Sequence, residues 1–244
     1  MSDDKSQSLP LRDGATAWLE IAGLLVLAAL APTVLAAWGP RIDMHVQSQA
    51  ARVPDVVQVV LSGAVLLAYC VLCAGRDPSP RQTLGLQSRL GWRVLPAGVF
   101  LALCAFAAAA AILLTFQRFF GAPATASRDA ALEAFRRIPL GRALTMAVWA
   151  GFYEEIVARG FLIDRLRKGL EFSGLGDKRW LPTVMGAWLF ALGHAYQGPV
   201  GVAQTFAAGL LFSLATRLDS GVLVAIVAHV LVDAGSFLML RYGE

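Results

Sequence analysis

Residues 149–161, WAGFYEEIVARGF, set two carboxylates and a guanidinium (Glu154, Glu155 and Arg159) inside a run otherwise apolar enough to cross a bilayer. A charged group at the centre of a spanning helix costs about 3 kcal/mol on insertion scales. Three such groups within six residues require partners, a water-filled cavity, or both. The expectation is a functional site inside the membrane.

The rest of the chain agrees with a membrane setting. Of 244 residues, 57% are hydrophobic and 16% charged, outside the range of a soluble domain. The implied fold is all-α, a polytopic transmembrane helix bundle of about seven spanning helices in a single membrane domain. The net charge of +4 does not point to nucleic acid, because the basic residues sit at the ends of apolar runs, where they act as interface anchors and topology signals. Cys70, Cys73 and Cys104 all fall within apolar runs and read as buried, packed thiols. The C-x-x-C that Cys70 and Cys73 form lies mid-helix, without the second ligand pair of a zinc site.

Along the chain, residues 1–15 form a short polar tail. Spanning helices are predicted at Ile21–Trp38, Val56–Gly75 and Val94–Gln117, the first kinked at Pro32. A polar connection, Arg41–Asp55, follows the first helix, and Arg76–Arg93, broken by Pro78 and Pro80, follows the second. In Arg118–Arg142, Ala131, Leu132 and Phe135 fall at helical spacing opposite charged residues, with Ser127 as N-cap, which reads as an interfacial amphipathic helix or a solvated one. Residues 1–142 thus hold the tail, three spanning helices and this segment. Residues 143–244 hold four more helices, at Ala143–Ile163, Trp180–Tyr196, Gly201–Thr216 and Val222–Leu240, with a basic connection carrying Arg165, Arg167, Lys168, Lys178 and Arg179 after the first of them. Counted by alternate sides, 12 Lys and Arg fall on the side of the N-terminus and 8 on the other, Arg159 left out, which puts the N-terminus in the cytoplasm.

Of three histidines, His45 lies in a connection, but His194 and His229 lie within predicted spanning helices, and Asp233 lies with His229. Residues four apart share a helical face, whereas adjacent ones point about 100° apart. Glu155 and Arg159 can therefore pair within their own helix, while Glu154 faces another helix as the carboxylate available for chemistry. By the same spacing His229 and Asp233 share a face, and Phe190 stands one turn before His194. Glu154, His194 and His229 can converge from three helices and hold a water for attack on a carbonyl, other polar groups stabilising the oxyanion. Two imidazoles and a carboxylate equally make a zinc-ligand set with one position open. The glycines of this region, Gly151, Gly160, Gly186, Gly193 and Gly209, read as sites of close helix packing or as room for an extended segment.

Glu154-Glu155-x-x-x-Arg159, Phe190-x-x-x-His194 and His229-x-x-x-Asp233, in order on three late helices, resemble the three motifs of the CAAX protease and bacteriocin-processing family, the Abi-type intramembrane endopeptidases that include the Ras-converting CAAX endopeptidase. The resemblance covers roughly residues 143–240. It implies an intramembrane endopeptidase cutting near the C-terminus of a substrate or within a peptide, with Glu154 activating water, His194 as its partner, and His229 with Asp233 as an oxyanion-stabilising or metal-binding pair. Some members have Asn where this chain has Asp233. An ionised aspartate cannot donate to an oxyanion, so Asp233 must be protonated, orient His229 or bind metal. Glutamate-dependent hydrolysis is the favoured type, with zinc as the metal-dependent alternative. The implied partners are the lipid bilayer and a peptide or protein substrate such as a C-terminal sorting segment. The implied location is a prokaryotic cytoplasmic membrane; on the charge count, His194, well along its predicted helix from the cytoplasmic end, lies toward the outer face. A non-catalytic immunity or peptide-binding protein of the same fold is the competing reading. A proton-relay transporter would call for internal repeats, and the sequence has none.

Overall fold

A computed structural model describes residues 11–38, 56–87, 91–121, 133, 136–219 and 221–242. The Arg41–Asp55 connection with His45, and Ser127, Ala131, Leu132 and Phe135 of the interfacial segment, lie outside the described residues. Helix α1 spans Leu11–Trp38 and α2 Val56–Ala74, followed by a single turn, α3, at Pro80–Thr83. Then come α4 (Val94–Phe120), α5 (Leu140–Glu155), α6 (Ile163–Phe172), α7 (Leu181–Gly193), α8 (Gly198–Asp219) and α9 (Leu223–Tyr242). No strand occurs among the described residues. The chain is a helical bundle; among the described residues five helices are long and apolar enough to cross a membrane, at Gly14–Ala31, Val57–Ala74, Gly91–Phe120, Ala195–Asp219 and Leu223–Tyr242.

The two helices that carry the acidic motif and the first histidine are built differently. Residues 140–172 form one continuous rod in which Ile156–Leu162 adopts π-helical geometry between α5 and α6. A widened π turn inside an α-helix is uncommon and often marks a functional position. Here it begins immediately after Glu155 and contains Arg159. Its neighbour explains the need for glycine: a Cβ on Gly160 would stand 2.5 Å from the carbonyl carbon of Leu84 and against its oxygen. Gly85, at φ 66°, then turns that loop so that its carbonyl accepts from the Val222 N–H at 2.8 Å, tying the loop to the start of α9.

The predicted basic connection after residue 163 is not a connection in its first part. Arg165, Arg167 and Lys168 lie on α6, an amphipathic helix that buries Leu166, Gly169 and Leu170. Apolar residues at i, i+3 and i+4 supply the stripe that seats it. That stripe packs on the N-terminal part of α1, where the Trp18 indole N–H donates to the Gly169 carbonyl at 3.1 Å. Helix α1 accordingly begins before the predicted Ile21.

One core cluster joins both halves of the chain, with Ile21, Leu24, Cys70 and Cys73 against Ile156, Phe161, Leu166 and Val222. A second, around Ala102, Ala105, Phe212, Ala225 and Ala228, is small-residued and lets α4, α8 and α9 approach closely. Cys70 and Cys73 are buried, as the sequence predicts, whereas Cys104 is only partly buried; all three thiols are free. Leu19, Leu72, Phe100 and Leu114 point outward at 64–72% exposure, a surface suited to lipid and not to water.

Candidate active site

Helices α5 and α9 pack against each other over much of their length, because small residues stand where they cross. A Cβ on Gly151 would meet Val230 Cγ2 at 2.6 Å and the Val230 backbone nitrogen at 3.0 Å. This approach brings the acidic motif of α5 against His229. The two glutamates then separate as their 100° offset requires. Glu155 is fully buried, with Arg159 Nη1 3.0 Å from its Oε1. The same oxygen accepts from His229 Nδ1 at 2.7 Å. Glu155 therefore has a second partner that helical spacing could not disclose: it joins the guanidinium of its own rod to the imidazole of α9.

Glu154 faces the other way and keeps some exposure, 18% of its side chain. Its Oε1 accepts from the Tyr153 hydroxyl at 3.0 Å. Its Oε2 is buried with no hydrogen-bond partner and lies 3.9 Å from His229 Nε2. Asp233 Oδ2 is 3.6 Å from that same nitrogen, one turn further along α9. Three carboxylates thus surround one imidazole. Arg159 balances one of them, so the set is electrically complete only with protons held on its imidazoles or carboxylates.

His194 is not inside a spanning helix. Helix α7 ends at Gly193, and His194 follows as its cap, at φ −101° and ψ 17°, before a 3-10 turn at Ala195–Gln197. Its Nδ1 lies 3.0 Å from the Phe190 carbonyl. A carbonyl oxygen only accepts, so Nδ1 carries the proton and Nε2 is left as the acceptor of the neutral ring. Phe190 is the hub between the motifs: the Arg159 guanidinium lies over its face at 4.1 Å, its centroid is 4.7 Å from the His194 ring, and His229 meets it edge-on at 6.2 Å. The structure thus gathers Glu154, Glu155, Arg159, His229 and Asp233 directly, and reaches His194 through Phe190.

The glycines sort into two kinds. Gly151, Gly160, Gly186 and Gly209 each face a neighbour closely, Gly209 with Ala187 Cβ 3.1 Å from where a Cβ would stand. Gly193 faces nothing within 4 Å. The close-packing reading does not hold for it, and the space beside His194 is open.

Two residues of the site were not singled out from sequence. Tyr153 holds Glu154, and its place beside the acidic pair inside an apolar run was the available signal. Tyr196 follows His194 by two residues and stacks near it, ring centroids 6.0 Å apart. Its signal was a phenol at a helix break, next to Gly198 and Pro199.

Among the described residues no group of three or more His, Cys, Asp or Glu side chains is gathered closely enough to hold a metal ion. His229 Nδ1 is already engaged by Glu155, and His194 is drawn toward the Phe190 carbonyl.

Residues 136–235 match the family model described as Rce1-like, type II CAAX prenyl endopeptidase Rce1-like. The matched stretch contains all three motifs, and the resemblance read from them and this match fall on the same residues. No curated protein and no solved structure gives a significant match to the chain.

Proposed function

We propose that this integral membrane protein, whose residues 136–235 carry the CAAX endopeptidase match, hydrolyses a peptide bond near the C-terminus of a membrane-associated or exported substrate, using water activated by Glu154. The observation that carries this reading is the state of Glu154. One oxygen is held by Tyr153, and the other is unpartnered, inside an apolar bundle, 3.9 Å from an imidazole nitrogen. A buried carboxylate oxygen with spare acceptor capacity is where a water can be held and deprotonated.

In this mechanism Glu154 takes a proton from a water bound on its open side, and the water oxygen adds to the scissile carbonyl carbon. The tetrahedral intermediate collapses with cleavage of the C–N bond. The proton passes from Glu154 to the departing amine, with His194 Nε2 at the rim able to relay it. Glu155 holds His229 by Nδ1, so that Nε2 faces Glu154 and Asp233. Arg159 balances Glu155 and has no direct part in the chemistry.

The open space at Gly193 and the exposed Leu192 beside His194 support entry of an extended substrate segment at that end of α7. Helix α7, 13 residues long, is about 20 Å in length. With the Lys- and Arg-richer side in the cytoplasm of a prokaryotic cell, this end lies toward the outer leaflet, which favours C-terminal sorting segments of exported proteins over prenylated cytosolic ones.

The test is membrane proteomics of C-terminal peptides in cells carrying Glu154→Ala, compared with wild type at matched protein level. Accumulation of an uncleaved precursor with the variant alone is expected, and it names the substrate. No difference between the two overturns the proposal in favour of a binding or immunity role.

A further inference from the structure

Glu154 is held from two sides, and only one of them carries a motif. On the α9 side, the crossing at Gly151 sets His229 Nε2 3.9 Å from Oε2. On the other, the Tyr153 hydroxyl donates to Oε1 at 3.0 Å. Residues adjacent on a helix point about 100° apart, so Tyr153 packs against a different helix from the one that Glu154 faces. That helix is α2, which lies along α5.

Trp149 stands one turn before Tyr153, with ring centroids 5.7 Å apart. Both rings press on α2 at one residue, the buried Gly63. A Cβ there would stand 2.6 Å from Trp149 Nε1, and 2.7 and 2.8 Å from Cδ1 and Cε1 of Tyr153. Carbon atoms in contact stand about 3.5–4.0 Å apart, so this seat has no room for a methyl group. The indole N–H is itself buried with no hydrogen-bond partner. Leaving a donor unsatisfied costs free energy, which the close fit at Gly63 has to offset. A methyl at this position would drive the Tyr153 ring about 1 Å away. A hydrogen bond of 3.0 Å lengthened by that much is lost.

We propose that Gly63 is a further positioning residue of the hydrolytic reaction: it seats Trp149 and Tyr153 so that the phenol fixes one oxygen of Glu154 and leaves the other turned to His229. This rests on the peptidase reading above. Gly63 and Trp149 act through Tyr153, and Tyr153 acts through Glu154. Because α2 spans Val56–Ala74, outside the matched residues 136–235, the geometry of the water-activating carboxylate is set in part by the half of the chain that carries no motif.

The experiment uses the full-length protein in detergent or liposomes and a quenched fluorogenic peptide built on the C-terminal segment whose precursor accumulates with Glu154→Ala. Tyr153→Phe keeps the ring in its seat and removes the hydroxyl; it is expected to lower kcat about 10–10²-fold, with KM within a few-fold of wild type. Gly63→Ala is expected to lower kcat by a comparable factor. The double variant is expected to be at most about threefold slower than the slower single one, because both changes break the same hydrogen bond, whereas independent losses multiply. Should Gly63→Ala fail to accumulate, Trp149→Leu, which empties part of the same seat, takes its place in the cycle with the same expectation. A kcat for Tyr153→Phe within about threefold of wild type, a loss confined to KM, or losses that multiply in the double variant would overturn the assignment while Glu154→Ala remains inactive. If Glu154→Ala accumulates no precursor, the peptidase reading fails, and the assignment of Gly63 falls with it.

Discussion

Two buried charge clusters in this molecule use similar side chains and end in opposite states. At the α1–α6 end, Arg165, with 3% of its side chain exposed, donates from Nε to Glu20 and from Nη1 to Asp77 at 2.8 Å and Asp164 at 2.9 Å. Lys168 reaches Asp77 and Asp164 at 3.2 and 2.8 Å, and the Thr83 hydroxyl donates to Asp77 at 2.6 Å. The guanidinium also lies 4.7 Å from the Phe161 ring centroid. None of these groups is left without a partner. In the α5–α9 cluster, Glu154 Oε2, Glu155 Oε2 and both terminal nitrogens of Arg159 lack hydrogen-bond geometry, although Arg159 and Glu155 stand 3.0 Å apart. A saturated network has nothing left to offer a ligand and serves to hold α1, α6 and the Asp77–Thr83 turn together. An unsaturated one, deep among apolar helices, is where water and a substrate carbonyl can find partners.

The largest effect is expected at Arg159. Arg159→Ala leaves Glu155 buried with His229 as its one charged partner, and about 3–5 kcal/mol of stability is expected to be lost. Protein accumulation in the membrane measures it; normal accumulation would mean that the Glu155–Arg159 pair is not what stabilises the site. A smaller effect is expected from Gly160→Ala, which drives a Cβ into the Leu84 backbone and should cost about 1–3 kcal/mol. Thermal unfolding in detergent would detect it, and no change would mean that the π turn can shift away from the loop.

The smallest effect is expected in the saturated cluster, at Asp77. Burial alone would raise Asp77, but the Thr83 hydroxyl and the Arg165 and Lys168 cations hold it below the usual carboxylate range. A carboxylate lowered by folding contributes fully above its unfolded value, about pH 4. That contribution is lost as pH falls through the lowered folded value. Asp77→Asn should therefore cost on the order of 1 kcal/mol at neutral pH and flatten the acid side of the stability curve. Unfolding midpoints measured between pH 3 and 7 check this, and parallel curves for wild type and variant would remove Asp77 from the network.

Much of the site was legible because helical geometry is periodic. Glu154 and Glu155 diverge because neighbours on a helix point about 100° apart, and Arg159 lies over Glu155 because four residues nearly complete a turn. The same rule placed Asp233 over His229. It could not find the Glu155–His229 hydrogen bond, which depends on how closely Gly151 lets α9 approach. Nor could it show that α7 stops at Gly193, since Leu192, Gly193, His194 and Ala195 are apolar enough to continue a helix on paper. The basic residues of α6 read as a connection because their charge outweighed the narrow Leu166, Gly169 and Leu170 stripe, and only the partner surface of α1 makes that stripe worth burying.

Composition and pattern alone required a bundle of apolar helices, because helices and closed barrels both satisfy backbone polar groups in lipid, but only helices are built from unbroken apolar runs of about 20 residues. Helical spacing also put Glu154, Glu155, Arg159, His229 and Asp233 inside that bundle, but not Glu20 and Arg165, which are buried as well. Tertiary structure decided their state of partnership: Arg165 saturated, Glu154 left with a free oxygen, Phe190 set between Arg159 and both histidines. Those outcomes depend on distances between helices, set by packing at Gly151, Gly160 and the alanines of α4 and α9, and no spacing along one helix encodes them.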